Sequence, residues 1–342
     1  MTTQENLIFQ LEHLFKKISF NRYNFHPKRN SLFTRKISEL NGINIINKKL
    51  YVDYEIVEIS SHNKLRENSI LFTNSLYDAT SFPDNFTLIT SDENFFNSFD
   101  KKNIFLVKDL NFTYNEILNF MYYHEDNIDF NDTFDFVNGS YISKFSYVNP
   151  TAKIFNSVIS RGVVIGKNSI IKNNCVIKNS IIGENVIVCD GTIIGSTGFG
   201  FDLKKMGSLN INPQLGIVYI DDNCHIGSNC TIDRAKIDFT YLGKNSMLDN
   251  LVHLGHNVII RDSACIAAQS GISGSVTIGK NLISGGQSGY AGHILLGDYV
   301  TVAAKSGVTK NINSHSIVAG FPATDIKEWK KMIIRLRKNG HK

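Results

Sequence analysis

Proline is scarce in this 342-residue chain: there are five, and only Pro213 falls between residues 151 and 321. A stretch that long without proline can keep an unbroken backbone ladder, because proline has no N–H to donate. The five cysteines, Cys175, Cys189, Cys224, Cys230 and Cys265, are odd in number, well separated and free of any C-x-x-C pair. That argues against a disulfide framework or a zinc ribbon and reads as small buried thiols. No apolar run reaches the ~18 residues a membrane span needs. The start MTTQENLIFQ has no basic segment leading into an apolar one, so the expected location is the cytoplasm. A 42% apolar and 20% charged composition excludes disorder, collagen or coiled coil as the dominant state. The length suggests two or three domains. Net positive charge is also missing from the body of the chain. Residues 327–342 carry seven Lys/Arg against Glu328, a net of +6, which leaves −1 for the rest of a +5 protein. The basicity belongs to the tail, and no nucleic-acid partner is expected.

What is present is a repeat. From Leu242 an aliphatic residue recurs every sixth position through Leu248, Leu254, Ile260, Ile266, Ile272 and Ile278, then Ser284 and Tyr290, then Leu296, Val302 and Val308. A weaker run precedes it at Ile165, Ile171 and Ile177, slips by one residue to Ile182, Val188 and Ile194, and resumes at Ile220, Ile226 and Ile232. Neither a helix nor a simple alternating strand has a period of six. The near copies IAAQSG (266–271), SGGQSG (284–289) and VAAKSG (302–307) are spaced by eighteen, so three hexads make one turn. The economical architecture is a triangular prism of stacked coils about 4.8 Å apart, with the first place of each hexad inward and the small fifth place sharing the core. Cys175, Cys224 and Cys230 occupy that fifth place. The register breaks between Ile194 and Ile220, where GSTGFGFDLKKMGSLNINPQLGIVY is too long for a hexad and is expected to leave one corner as a loop. Its glycines lack the spacing and following helix of a dinucleotide fingerprint and read as loop glycines.

The flanks have no hexads. Residues 1–33 form an N-terminal extension with an amphipathic pattern around ENLIFQLEHLFKK, and residues 34–140 mix helical and strand patterns, as a small α/β domain does. The coil domain is expected over 141–318, and 319–342 as a basic C-terminal helix with Ile326, Trp329, Ile333 and Leu336 at helical spacing. That apolar stripe needs a partner, which points to a homo-oligomer.

The residues able to do chemistry near neutral pH sit inside the prism: Asp249, Asn250, His253, His256, Asn257 and His293. The eighteen-residue period stacks Gly274 and Gly292 on His256, so nothing crowds that corner. Such a slot suits a general base, with Asp249 as an orienting carboxylate and the Gly274 N–H as an oxyanion donor. The same pattern also describes turn glycines and corner histidines with no catalytic part. His253-x-x-His256 lacks a third metal ligand, and no metal is expected.

The stretches MLDNLVHLGHNV (247–258), IAAQSGISGS (266–275), GGQSGYAGH (285–293), VAAKSGV (302–308) and VAGFPATDIKEW (318–329), with STGFGF (196–201) and TIDRA (231–235), resemble the UDP-3-O-acylglucosamine N-acyltransferases of lipid A synthesis. The resemblance implies a left-handed parallel β-helix, a homotrimer, and transfer of a (3-hydroxy)acyl chain from acyl carrier protein to the 2-amino group of the nucleotide sugar. No bound cofactor is implied beyond the carrier's phosphopantetheine arm as donor. By position, His256 matches the general base, Asp249 its supporting carboxylate, Gly274 the oxyanion donor and His293 a second histidine near the thioester. Asn250 and Asn257 line the site. The small domain matches a uridine-binding domain whose F-x-x-N-x-x-Y pattern becomes Leu71, Asn74 and Tyr77, with leucine for the aromatic. The glycine columns 271/289/307 and 274/292 suggest an apolar slot for the acyl chain, open at Gly292 and Gly307 and tolerant of longer chains. Lys330, Lys331 and Arg335 offer an acidic carrier a docking surface. Membrane contact is at most peripheral. The competing readings are an acetyl-CoA-dependent N-acetyltransferase acting on a nucleotide amino sugar, a non-catalytic solenoid, and a trimeric metal hydratase.

Overall fold

The computed structural model describes residues 30–40, 42–60, 65–74, 82–99, 102–122, 132–200 and 213–339. The amphipathic pattern before residue 30 and Tyr77 lie outside them. The described residues form two compact units.

The smaller unit holds a five-stranded sheet in the order Ile45–Lys49, Asn103–Val107, Phe86–Thr90, Ser69–Phe72, Glu58–Ile59, antiparallel at the first pair and parallel beyond it. Helices Glu93–Asn97 and Leu110–Met121 begin where Asp92 and Asp109 accept hydrogen bonds from the Phe95 and Phe112 amides, which satisfies donors a helix start leaves open. This is the expected small α/β domain. Ser69–Phe72 is one of its buried strands, and Thr34–Glu39 forms a 3-10 helix.

The larger unit is a parallel β-helix. Successive strands pass in turn to three sheets of 8, 10 and 10 strands, and the coil strands pair in parallel with the strand one coil on, with antiparallel pairs only at the two ends, Phe134–Val137 with Ser140–Ser143 and Ile317–Ala319 with Thr324–Asp325. His253–Leu254 pairs with Gly271–Ile272, then Gly289–Tyr290, then Gly307–Val308, in direct register. Every first-place residue from Leu242 to Val308 is buried, Ser284 and Tyr290 included. Those two departures from aliphatic character answer each other: the Tyr290 hydroxyl donates to Ser284 Oγ at 2.7 Å inside the core, so neither polar group is left unpaired. Burial pushes the Tyr290 phenol up to about 12.

The corners require a left-handed residue. Asn245, Leu251, Asn257, Ser263 and Gln269 have φ of 57°, 62°, 59°, 64° and 62°. Asparagine tolerates that region better than most side chains, which explains why it recurs at the corners. The one-residue slip seen in the sequence is a shorter coil, pairing Ile165 with Ile182. Two insertions interrupt the later coils. One separates Ile182 from its partner Ile220, and a shorter one separates Ile232 from its partner Leu254. The second carries Asp233 to Asp238. In it the fully buried Arg234 donates its Nε–H to the Gly216 carbonyl at 2.8 Å.

Four cysteines are buried as expected. Cys265 is not: it holds the outward place of the strand Cys265–Ile266 and is exposed, because alternate residues of a strand face opposite sides. The C-terminal helix Ile326–Asn339 starts at Asp325, which accepts from the Lys327 amide. Its Trp329 lies so close to Gly320 that a Cβ there would meet Trp329 Cδ1 at 2.6 Å. Leu336, at the end of the apolar stripe, is 62% exposed. Among the described residues no helix is long and apolar enough to cross a membrane.

Candidate active site

His256 stands at the corner between the strands His253–Leu254 and Ile259–Ile260. Its Nδ1 lies 3.2 Å from Asn257 Oδ1. That oxygen also accepts the Lys236 amide at 2.9 Å, while Asn257 Nδ2 donates to the Ile237 carbonyl at 3.3 Å. Both bonds fix the amide with its oxygen toward the imidazole. An acceptor there requires the proton on Nδ1 and leaves the lone pair on Nε2.

Two glycines flank the His256 side chain, one at the ring and one at its Cβ. A Cβ on Gly274 would stand 2.6 Å from His256 Nε2, and one on Gly198 would stand 2.8 Å from His256 Cβ. Gly198 is held in place by Gln214, whose Oε1 accepts the Gly198 N–H at 2.8 Å and whose Nε2 donates to its carbonyl at 3.2 Å. Gly198 belongs to the STGFGF segment, and its lack of a side chain makes room for the His256 Cβ. The stacking continues through backbone bonds: Ser275 N–H donates to the His256 carbonyl at 2.8 Å, and His293 N–H to the Gly274 carbonyl at 3.2 Å. His256 is held below its ordinary imidazole pKa, chiefly by burial, with the charges of His293 and Lys236 in the same direction and the Asn257 bond opposing. Burial thus favours the neutral ring, the form able to accept a proton.

The other residues singled out in the sequence divide. Asp249 does not bond His256 within the chain: its carboxylate accepts the Asn250 amide at 2.8 Å and the Ala268 amide at 3.1 Å, at the preceding corner. The group bonded to the imidazole is Asn257. Asn250 accepts the Ser228 amide at 2.7 Å. His293 is exposed in a left-handed conformation, φ 61°. Of the glycine column, Gly271 and Gly289 are open, since a Cβ on either would meet nothing within 4 Å. The opening expected at Gly307 is absent, because the Phe321 ring lies over it and a Cβ there would overlap that ring. The backbone of 320–323 is bonded to Gly307 on both sides, through Gly307 N–H to Gly320 and Ala323 N–H to Gly307. Gly292 is exposed, close above the Gly274 carbonyl. Lys330, Lys331 and Arg335 are exposed on the C-terminal helix.

In the small unit, Asn74 Oδ1 accepts from the Ser91 amide at 2.8 Å and the Thr90 hydroxyl at 3.0 Å. Leu71 points into the core at 4% exposure, and Phe72 on the opposite face packs edge-on against Tyr114, ring centroids 5.1 Å apart. Gln214 carried no functional signal in the sequence, and Gly198 and Phe321 stood there only inside the resembling segments STGFGF and VAGFPATDIKEW, with no role of their own. Their contacts join segments across register breaks or chain reversals, where a period does not extrapolate.

The fold and this corner define a hexad-repeat β-helix with a neutral imidazole laid over bare backbone. The resemblance noted in the sequence is borne out by the relatives it matches. Over 140 residues the chain is 44% identical to a UDP-3-O-acylglucosamine N-acyltransferase of Sulfurimonas denitrificans, covering 41% of this chain and 44% of that one. Over 147 residues it is 38% identical to the Wolinella succinogenes enzyme of the same name, covering 43% and 46%. The chain thus spans less than half the length of these curated relatives. No protein-family model matches. Among solved structures, the UDP-N-acetylglucosamine acyltransferase of Bacteroides fragilis is 28% identical with a TM-score of 0.46, covering 58% of this chain and 78% of that one.

Proposed function

We propose that this protein is a UDP-3-O-acylglucosamine N-acyltransferase of lipid A synthesis, moving a (3-hydroxy)acyl chain from acyl carrier protein to the sugar's 2-amino group. The observation that carries the reading is the His256 imidazole, with its Nδ1 proton pinned by Asn257 and its Nε2 lone pair over Gly274. Nε2 takes the amine proton as the nitrogen attacks the thioester carbonyl. The C–N bond forms and the carbonyl π pair moves to oxygen, where the Gly274 N–H donates to it. Collapse expels the phosphopantetheine thiolate, which recovers the proton from the imidazolium. Such donors act most strongly where they need no rearrangement during the reaction. His293, Asn250 and Asn257 line the same site, and Asn74 with Tyr77 reads the uridine. Asp249 supports the imidazole only from a second copy, which agrees with a homotrimer and with the exposed end of the helical stripe.

The donor is tested by comparing 3-hydroxyacyl carrier protein with acetyl-CoA on a UDP-3-O-acylglucosamine acceptor. Transfer from the carrier alone supports the reading, and transfer from acetyl-CoA alone overturns it. Reversing Lys330, Lys331 and Arg335 to Glu is expected to raise the carrier's KM roughly 10-fold at low salt and leave the sugar's unchanged. Equal effects on both would reject the docking role.

Phe321 at the end of the open column limits chain length. Phe321→Ala exposes about one further coil of floor, about 4.8 Å. The expected result is a kcat/KM preference shifted toward longer donors, by roughly 4-fold per added methylene. A preference profile unchanged from the native enzyme would place the acyl chain elsewhere.

A further inference from the structure

Three residues before His256, a second imidazole stands in a polar cluster that the acyl-transfer steps above do not use. His253 Nδ1 lies 2.7 Å from Thr231 Oγ1, and its Nε2 lies 3.7 Å from Asp233 Oδ2. Thr231 and His253 are direct register partners on one sheet, and the next partner down is Gly271, head of the open column. Asp233 is only 8% exposed, whereas the His253 side chain is 47% exposed.

The gap between Nε2 and the carboxylate is too long for a direct hydrogen bond. With the Thr231 hydroxyl donating to Nδ1, the ring proton sits on Nε2, and a group that fills the gap must accept from the imidazole and donate to the carboxylate. A carbonyl has no donor, an ammonium has no acceptor, and an anion is repelled by Asp233. A hydroxyl meets each demand. We propose that Thr231, His253 and Asp233 form a hydroxyl-binding site beside His256, which seats a substrate hydroxyl between His253 and Asp233. Burial raises the Asp233 carboxyl to about 6, opposed by His253, so at neutral pH it is still largely the acceptor that the site needs. Among the described residues no group of three or more His, Cys, Asp or Glu is placed to hold a metal ion, and His253 with Asp233 supplies only two such ligands.

The occupant rests on the acyltransferase reading. The hydroxyl comes either from the acyl chain near its carbonyl end, lying along Gly271 and Gly289, or from the sugar ring beside His256. Both sources share one chemistry, and a site built to bond a hydroxyl discriminates strongly against its deoxy counterpart.

Calorimetry on the full-length protein with two probe pairs tests this: 3-hydroxydecanoate against decanoate, and UDP-glucosamine against analogues lacking the 4- or 6-hydroxyl. The native protein is expected to prefer the hydroxylated member of one pair by roughly 10-fold. His253→Leu and Thr231→Val should abolish that preference, and His253→Gln should restore part of it. Asp233 adjoins the buried Arg234, so these more exposed partners carry the test, with thermal melts to confirm folding. A preference in the first pair assigns the acyl hydroxyl, and one in the second assigns the sugar. No preference in either pair, or one that survives both His253→Leu and Thr231→Val, overturns the site. Binding needs no turnover, so a protein that shows the preference but transfers no acyl chain refutes the acyltransferase reading and leaves the hydroxyl site standing.

Discussion

His256→Ala is expected to lower kcat/KM by roughly 10²–10⁴-fold, the range in which a positioned general base contributes. The loss should fall on kcat, because the amine still binds but has no acceptor for its proton. The thermal melt should barely move. The imidazole is half-buried at a corner, and the aliphatic column from Leu254 to Ile260 that stabilises the coil is untouched. A variant that melts as the native protein does and turns over within a few-fold of it would remove His256 from the chemistry.

Gly274→Ala tests the same geometry from the other side. The φ of Gly274 lies outside the left-handed region, so alanine fits the backbone, but its methyl would stand 2.6 Å from His256 Nε2. The ring must shift by about 1 Å to relieve the contact, and a displacement of that size costs roughly 10²-fold in rate. The expected pattern is a large fall in kcat with a native-like melt. Full activity would mean that Nε2 needs no clearance at this corner. If the melt also collapses, Gly274 is structural.

The prism was legible because its signal is periodic and local. One inward residue per hexad sets the strand, and the eighteen-residue spacing sets the stack. Even the irregular hexads at Ser284 and Tyr290 obey the register, since their hydroxyls satisfy each other. His256 over Gly274 followed from the same arithmetic. What the period could not supply were contacts made where it fails. Gln214 and Gly198 meet across the long insertion, and Phe321 returns over Gly307 only after the last coil has ended. Asp233 lies in the second insertion, so its approach to His253 has no hexad position from which to be counted. Asp249 illustrates a different limit. Its place one corner before His256 was correct, but the carboxylate is occupied by amides of its own corner. Asn257, which sequence reading placed only as lining the site, makes the bond to the imidazole because a short insertion brings the Lys236 amide to its other side.

The most direct measurement of the central claim is the pH dependence of kcat/KM for the native enzyme and for His256→Ala. Burial lowers the His256 pKa, so the neutral, proton-accepting form persists into more acidic solution than for an ordinary imidazole. The activity of the native enzyme should rise with pH along an acid limb whose midpoint lies below about 6.5 and be level through neutrality. The residual rate of the alanine variant should lack that limb. An acid limb centred above 6.5, or one that persists unchanged without the imidazole, would contradict the assignment.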